Sequence, residues 1–184
     1  VTNSAKFAEP VADELSKLKA PFGVYAVLGN HDYWANGVIV HQALKKVGIH
    51  VLKNEHIFLP INKDGIWILG VDDLWAGDFN LDKTVSNTPM KETRILLMHN
   101  PDTFMEAAQH EIDLVLSGHT HGGQVSFPFV GPLIVPSKFG KRYASGLFKK
   151  GKTRMYVNKG LGLISPPVRF GVRPEITKFT LRCV

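Results

Sequence analysis

Three short apolar segments, each followed directly by a loop that contains histidine, constrain this sequence more than any other feature. The segments are VYAVL at 24–28, RILLM at 94–98 and DLVL at 113–116, and the loops that follow contain GNHD, HNPD and SGHTHGG. An apolar run of this length between turn residues is typical of a buried strand. Together with helical periodicity elsewhere in the chain, these strands predict an α/β fold.

The remaining pattern predicts one domain of alternating helices and strands over residues 1–184. Helices are predicted over residues 5–19, 39–47 and 103–110, and strands over residues 24–28, 49–52, 56–61, 66–71, 94–98, 113–116, 143–148, 154–157 and 176–181. The stretch Asn62-Lys63-Asp64-Gly65 carries an Asp-Gly step, which predicts an antiparallel hairpin. Alternation of strands and helices early in the chain and hairpins later favour α/β layers with mixed sheets.

The composition excludes several protein classes. Of the 184 residues, 44% are hydrophobic and 21% are charged, which is typical of a folded domain rather than a disordered chain. No run approaches the roughly 18 apolar residues that a membrane span needs. The single cysteine, Cys183, excludes an internal disulfide framework and a cysteine-rich zinc module, and we expect it to be inert.

Charge is distributed unevenly along the chain. The net charge is +6, yet residues 138–184 hold twelve Lys and Arg against Glu175 alone, whereas residues 1–137 hold ten against fifteen acids. A basic C-terminal part is typical of a solvated positive face, or of a protein with an anionic partner such as a phosphorylated substrate, nucleic acid or an acidic membrane surface. The sequence leaves these interpretations open.

The three histidine loops predict one shared site. In open α/β sheets, loops at the carboxyl ends of neighbouring strands converge, so the side chains of Asn30, His31, His99, His119 and His121 should meet. Four imidazoles and an amide oxygen suit a divalent transition metal. Glycines around His119 and His121 permit tight turns that aim both imidazoles at one point.

Structural roles are expected for the other histidines and for an acidic pair. Predicted helices contain His41 and His110, and predicted strands contain His50 and His56. Asp72 and Asp73 end a strand, where their carboxylates could be ligands, but capping or turn formation is the expectation.

The loop motifs resemble those of a known enzyme family. Gly29-Asn30-His31-Asp32, the lone His99 and Gly118-His119-Thr120-His121 are similar, in order and in position after a strand, to the last three motifs of the calcineurin-like metallophosphoesterases. Further stretches resemble the bacterial membrane-associated subgroup, which includes enzymes similar to UDP-diacylglucosamine pyrophosphatases. These stretches are 69–73, 99–102, 122–124 and 166–171, so the resemblance covers nearly the whole chain.

The resemblance implies a hydrolase with two divalent metal ions, which would be manganese, iron or zinc. It implies two packed mixed β-sheets flanked by helices in a four-layer fold, and a membrane or cell-envelope location. Carried over by motif, Asn30, His99 and His119 would hold one metal and His121 the other. His31 would be the hydrogen-bond donor or general acid beside the leaving-group oxygen, with Asp32 orienting it. Such a metal pair would activate a water and polarise the phosphoryl oxygens.

The substrate is expected to be a phosphoester or pyrophosphate on a small molecule, with a lipid-linked or a nucleotide-linked substrate as the candidates, and an anionic membrane surface is a candidate partner. Arg169 and Arg173 are candidates to bind its phosphate, because arginine forks suit phosphate oxygens, although solvated surface arginines explain them equally well. A nuclease of the same fold is the rival enzyme. Nucleic acid is disfavoured as a partner, since no basic ladder with interleaved aromatic residues is evident.

The sequence departs from the family pattern in one respect. The pattern also requires an Asp-x-His and a Gly-Asp upstream of GNHD; no Asp-x-His occurs here, and Gly77-Asp78 lies downstream. Since Val1-Thr2-Asn3 resembles the segment just after that Gly-Asp, we expect the chain to be the C-terminal portion of such an enzyme, without its first strands. The 184 residues alone should then be a poor phosphoesterase, and a non-catalytic scaffold is the alternative from another class.

Overall fold

A computed structural model of the chain describes residues 4–61 and 64–182. Ten strands are assigned within these ranges: β1 (Val24–Ala26), β2 (Ile49–Val51), β3 (Glu55–Ile61), β4 (Asp64–Gly70), β5 (Thr93–Met98), β6 (Leu114–Ser117), β7 (Ser126–Phe127), β8 (Gly131–Pro132), β9 (Gly146–Lys150) and β10 (Thr153–Val157). The α-helices are α1 (Ala8–Leu15), α2 (Asn30–Lys46), α3 (Leu81–Val85) and α4 (Phe104–Gln109). The predictions made for Val1-Thr2-Asn3, Asn62, Lys63 and Cys183 lie outside the described residues.

A six-stranded mixed sheet organises most of the chain, in the order β3-β4-β5-β6-β10-β9. The four central strands, β4, β5, β6 and β10, are mutually parallel, and the two edge strands are antiparallel to their neighbours. The β3–β4 pair confirms the predicted hairpin. Because the central strands are parallel, the residues that follow β5 and β6 emerge at the same edge of the sheet.

The helices form two groups with separate cores. Helices α3 and α4 pack on the six-stranded sheet through Leu81, Phe104 and Ala107, which are buried with apolar side chains of β4, β5, β6 and β10. Helices α1 and α2 pack on a two-stranded parallel sheet formed by β1 and β2. These elements confirm a mixed α/β fold with flanking helices. None of the helices in the described part of the chain has the length and apolar character that a bilayer-spanning segment needs.

The GNHD stretch is the start of a helix, so its prediction as a loop is wrong. Asn30 is the first residue of α2, and Gly29 is the N-cap in extended conformation. The Asp32 carboxylate accepts a hydrogen bond from the Gly29 amide at 2.9 Å, which is the capping-box contact that fixes a helix start. A break in helical geometry at Asn36 follows, and the Asn36 side chain caps the continuation by accepting from the Ile39 amide. The apolar periodicity of residues 39–47 predicted only the part of α2 that follows Asn36.

One predicted strand is absent and another is displaced. Residues 176–181 form no strand, although their alternation resembles one. Strand β10 already has a partner on both sides, and the C-terminal segment is attached to it by side chains instead, with Phe179 against Tyr156 and Thr177 accepting from Asn158. The strand predicted at 143–148 is β9, which begins at Gly146 because the preceding residues form a 3-10 turn.

Candidate metal centre

A cavity of about 580 Å³ lies where the predicted loops meet. Its polar lining contains Asn30, His31, Asp32, His99, His119 and His121, so the structure brings every predicted metal and catalytic residue to one cavity. The rest of the wall is mostly apolar and includes Phe7, Val11, Trp34, Trp75, Pro136, Leu163 and Ile164. The convergence of loops predicted from the three strands is therefore present.

Two of the predicted metal ligands each contact a third, His99, at one end of this cavity. Asn30 Oδ1 lies 3.0 Å from His99 Nε2, and His119 Nδ1 lies 3.2 Å from the same nitrogen. Asn30 comes from the first turn of α2, His99 from the end of β5 and His119 from the end of β6. The β5 and β6 loops are fastened together, because the Gly118 amide and the Ser117 hydroxyl both donate to the His99 carbonyl.

The close approach of His99 requires glycine at position 29. A Cβ added at Gly29 would lie 2.6 Å from the imidazole atoms Cε1 and Nε2 of His99. That separation is too short for any side chain to tolerate, so the helix cap and the imidazole can share this space only when residue 29 has no side chain. The Gly29-Asn30 pair therefore places the amide oxygen against the imidazole.

Left-handed backbone in the β6 loop aims both of its histidines into the cavity. His119 and His121 have φ values of 67° and 53°, in a region that non-glycine residues rarely adopt. Thr120 holds the turn, since its buried hydroxyl donates to the Ala144 carbonyl at 2.6 Å. Such strain persists only where surrounding contacts fix it, and it clusters at functional sites.

The two touching imidazoles are uncharged at neutral pH. Burial lowers the pKa of His99 to about 4. Burial and the neighbouring His99 lower the pKa of His119 to about 4 as well. His119 Nε2 is buried without a partner of good hydrogen-bond geometry among the described residues, although the nearby Pro136 carbonyl opposes the fall in pKa. Neutral imidazoles with available lone pairs are the form that binds metals.

His31 and Asp32 stand beside this cluster on the first turn of α2. The His31 ring contacts Trp34 edge to face at 4.8 Å between centroids, and burial lowers its pKa. The Asp32 carboxylate accepts from the Gly29 amide and so caps the helix, a structural role that is independent of any effect on His31. The catalytic roles of His31 and Asp32 stay predictions.

His121 occupies another part of the cavity wall, next to the C-terminal segment. Its Nδ1 lies 3.2 Å from the Gly162 carbonyl. A carbonyl accepts only, so the proton lies on Nδ1 and the lone pair on Nε2, which leaves Nε2 able to bind a metal. Gln124 secures the segment 162–166 that lies beside it. The Gln124 amide donates to the carbonyls of Ile164 and Pro166 and accepts from the Ile164 amide.

The two candidate phosphate-binding arginines differ in their surroundings. Arg169 donates from Nη2 to the backbone carbonyls of Lys159, Gly160 and Gly162, and so holds the loop that contacts His121. Arg173 is exposed. Binding of phosphate by either residue stays a prediction.

Asp72 and Asp73 organise a turn that supports the site. Asp72 is 3% exposed and accepts hydrogen bonds from the Tyr33 hydroxyl and from the Asp73 and Asp78 amides, while Lys53 Nζ lies at 3.3 Å. Asp73 accepts from the backbone amides that follow it, including that of Trp75, whose ring lies 4.4 Å from the His119 ring. The expectation of a turn-forming role is in keeping with these contacts.

Asn30, His99 and His119, called the contact cluster, fit part of a metal's coordination sphere. In octahedral coordination, two neighbouring ligand atoms that are each ~2.1 Å from one metal are ~3.0 Å apart. The separations of 3.0 and 3.2 Å around His99 Nε2 match that spacing. Within the described ranges, however, no group of three or more His, Cys, Asp or Glu side chains is arranged to hold a metal ion. The cluster is thus two imidazoles and one amide, with coordination positions left open.

Sequence reasoning missed two features of the site. The aromatic wall formed by Trp34 and Trp75 gave no signal, because a tryptophan in α2 and one in the loop after β4 belong to no motif that marks a cavity wall. The role of Gln124 and Arg169 as a clamp was also missed, since both residues bind backbone carbonyls up to 48 positions away, which no spacing pattern reveals.

Comparison with known proteins identifies relatives over most of the chain. It is 42% identical over 171 residues to the uncharacterized metallophosphoesterase YkuE of Bacillus subtilis, covering 91% of this chain and 59% of YkuE. It is 34% identical over 174 residues to the phosphodiesterase YaeI of Escherichia coli, covering 92% of this chain and 62% of YaeI. The chain therefore spans about three fifths of the length of these two relatives.

A structural comparison agrees on the fold. The sulfate thiohydrolase SoxB of Thermus thermophilus, solved with glycerol, is similar with a TM-score of 0.52 and 16% identity, over 81% of this chain and 29% of SoxB. At that identity the likeness concerns the fold alone. Residues 2–123 match the profile of the calcineurin-like phosphoesterases. Since that match spans more than half of the chain and contains all of the strand-end motifs, the protein belongs to the calcineurin-like phosphoesterase family.

Proposed function

We propose that this domain carries the metal-binding and leaving-group side of a phosphoester hydrolase site. The observation that carries the proposal is the contact of both Asn30 Oδ1 and His119 Nδ1 with His99 Nε2, in a cavity that His31 and His121 also line. Family membership supports a metal-dependent hydrolase.

The contact cluster would hold a divalent cation. A single proton on His99 Nε2 can serve both neighbouring acceptors, whereas a cation bound by the three atoms would require the other tautomer of His99, with its proton on Nδ1. Imidazole and amide donors suit manganese, iron or zinc. A bound cation would supply Lewis-acid polarisation of phosphoryl oxygens and a more acidic bound water. His121 would hold a second cation through Nε2, with Gly162 fixing its tautomer.

The protein's own groups would position the substrate and its leaving group. His31 lies on the same cavity as the cluster and would donate a hydrogen bond to the leaving-group oxygen. A neutral imidazole can make that donation, so the lowered pKa of His31 is compatible with it. The aromatic wall would exclude bulk water from the phosphoryl group, which strengthens electrostatic contacts there.

The apolar wall also bears on the class of substrate. Trp34 and Trp75 would accommodate an apolar or planar substituent beside the phosphoester, which favours a lipid-linked or nucleotide-linked phosphodiester or pyrophosphate over inorganic pyrophosphate. Arg169 and Arg173 are proposed to attract its remaining charge.

Matched histidine variants of the natural protein that contains these residues would test the proposal. After chelation and reconstitution with manganese, metal content and hydrolysis of bis(p-nitrophenyl) phosphate are measured for His119→Ala, His31→Ala and the control His41→Ala, which alters α2 outside the cavity. His119→Ala should lower manganese affinity at least tenfold. His31→Ala should keep the metal and lower turnover by about a hundredfold or more.

Two outcomes would contradict the proposal. Equal loss of metal in His119→Ala and His31→Ala would show that the assigned roles are wrong. A reconstituted protein that binds manganese but hydrolyses none of the phosphodiester, beside an active relative in the same assay, would favour a scaffold.

A further inference from the structure

An exposed apolar hairpin projects from the segment that follows the β6 loop. This apolar hairpin spans residues 126–134 and consists of β7, the turn 128–130, β8, Leu133 and Ile134. Phe129 at its tip is 110% exposed and Ile134 is 79% exposed. Phe127, Val130 and Leu133 are exposed as well. This is a concentration of large apolar side chains in water, which usually marks an interaction surface.

The tip conformation is unfavourable for the residue that occupies it. Phe129 has a φ of 64°, a region that suits glycine or asparagine and disfavours an aromatic residue. Turns at hairpin tips ordinarily use glycine, asparagine or aspartate for this reason. A phenylalanine held there in water stabilises neither the turn nor a core, so its placement calls for a role outside the folded chain.

The base of the apolar hairpin is firmly attached, which makes the tip a fixed projection. The Ser126 amide donates to the Phe170 carbonyl at 2.8 Å, and the Phe127 and Phe170 rings pack at 5.1 Å between centroids. The Leu133 amide donates to the Val125 carbonyl at 3.1 Å.

The sequence that forms and follows the apolar hairpin carries only positive charge. Residues 126–143 contain Lys138, Lys141 and Arg142 and no Asp or Glu. Lys141 reaches the tip itself, since its Nζ donates to the Val130 carbonyl at 3.2 Å. This contact places one cation directly beside the exposed tip, and Lys138 lies over the ring of Phe139 farther along the chain.

An anionic lipid bilayer fits this combination better than a protein does. Apolar tips enter the acyl boundary while neighbouring Lys and Arg contact anionic headgroups. A protein partner would need a pocket for the projecting tip, and protein surfaces generally mix both signs of charge. Three cations without an acid match a uniformly negative surface instead.

We propose that the apolar hairpin, with Lys138, Lys141 and Arg142, docks the domain on an anionic lipid bilayer. This goes beyond the hydrolase proposal, because it assigns a surface outside the cavity. Pro136, two residues after Ile134, lines the cavity. Docking would therefore hold the cavity close to the bilayer surface.

Vesicle binding by the natural protein tests the proposal. Co-sedimentation is measured with vesicles of phosphatidylcholine alone and of phosphatidylcholine mixed with phosphatidylglycerol, at low and high salt. Phe129→Asn suits the left-handed backbone and should fold, yet its affinity for anionic vesicles should fall about tenfold. The control Ile176→Asn removes another highly exposed apolar side chain, 83% exposed, away from the apolar hairpin and should leave binding unchanged. Replacing Lys138, Lys141 and Arg142 by Gln should weaken binding about fivefold per charge and reduce its salt dependence.

A local probe makes the test independent of any other membrane attachment. In a Cys183→Ser background, Phe129→Cys labelled with an environment-sensitive fluorophore should shift its emission to the blue on adding anionic vesicles, and Ile176→Cys should not. Unchanged emission at position 129, or equal vesicle affinity for Phe129→Asn and its parent, would overturn the proposal. So would a Phe129→Asn protein that loses self-association or binding to another protein but keeps vesicle binding.

Discussion

Helix α2, which carries Asn30 and His31, is held in place partly by the hydroxyl of Tyr33. The substitution Tyr33→Phe removes only that hydroxyl and therefore tests its contribution. That hydroxyl donates to the carboxylate of Asp72, across 39 positions of the chain. In Tyr33→Phe the carboxylate keeps its two backbone amide donors and Lys53, so its charge is not left without partners. A hydrogen bond to a charged group contributes about 1.5–3 kcal/mol, and we expect a loss near the lower end, about 1.5–2 kcal/mol.

The loss should depend on pH in a defined direction. Burial and the contact with Asp72 raise the pKa of Tyr33 above its ordinary value of 10.0. The stability from the protonated hydroxyl is therefore complete below pH 10 and declines as the pH rises further. Burial alone would raise the pKa of Asp72, but the hydrogen bonds from Tyr33, Asp78 and Asp73 lower it below 3.8. Its contribution is complete above that value and declines as the pH falls, so wild type and variant should differ most between about pH 4 and pH 10.

Urea unfolding followed by circular dichroism would measure the difference. The control is Tyr25→Phe, which removes a hydroxyl that donates to the neutral Phe22 carbonyl. It should cost about 1 kcal/mol or less. If Tyr33→Phe costs less than about 0.5 kcal/mol, or no more than the control at pH 7, the ion-assisted contact does not hold the helix as described.

Three further changes have defined outcomes. Glu175→Gln should lower stability at neutral pH and have little effect near pH 2, because hydrogen bonds and Lys159 overcome burial and hold the pKa of Glu175 at about 2; acid titration of the unfolding free energy checks this. Gln124→Leu removes three hydrogen bonds to the segment 162–166, so exchange of the Ile164 amide should accelerate by up to about a hundredfold, measured by hydrogen–deuterium exchange. Thr120→Val leaves the buried Ala144 carbonyl without its donor and should cost about 1–3 kcal/mol, measured by thermal unfolding; an unchanged melting temperature would contradict the role given to this turn.

The sequence predicted the site better than it predicted the elements around it. Short apolar strands followed by polar loops are local signals, and the parallel sheet rule then brings distant loops together, so Asn30, His99 and His119 could be placed at one point. Their atomic contact depends also on Gly29, whose missing side chain admits the imidazole. That requirement is visible only in three dimensions.

Elements fixed by side-chain capping were the hardest to predict. The first turn of α2 contains no apolar periodicity, and its start depends on one contact between Asp32 and the Gly29 amide. The segment 176–181 shows the opposite error, a strand predicted where none forms. Its apolar residues alternate as in a strand, but β10 is already hydrogen-bonded to β6 on one side and β9 on the other. The pattern of apolar residues indicates which side chains are buried and whether the segment has helical or strand periodicity. It does not indicate which backbone amides and carbonyls of a neighbouring strand are already hydrogen-bonded.

The sequence distances within the contact cluster have a consequence for the order of folding. Asn30 and His99 are separated by 69 positions, and His99 and His119 by 20, so the three atoms meet only after several long loops have closed. A ligand of this cluster cannot initiate folding, because the three residues that bind it are not close together in the unfolded state. It would select the native state alone, so the melting temperature should rise with the logarithm of ligand concentration while the refolding rate stays unchanged.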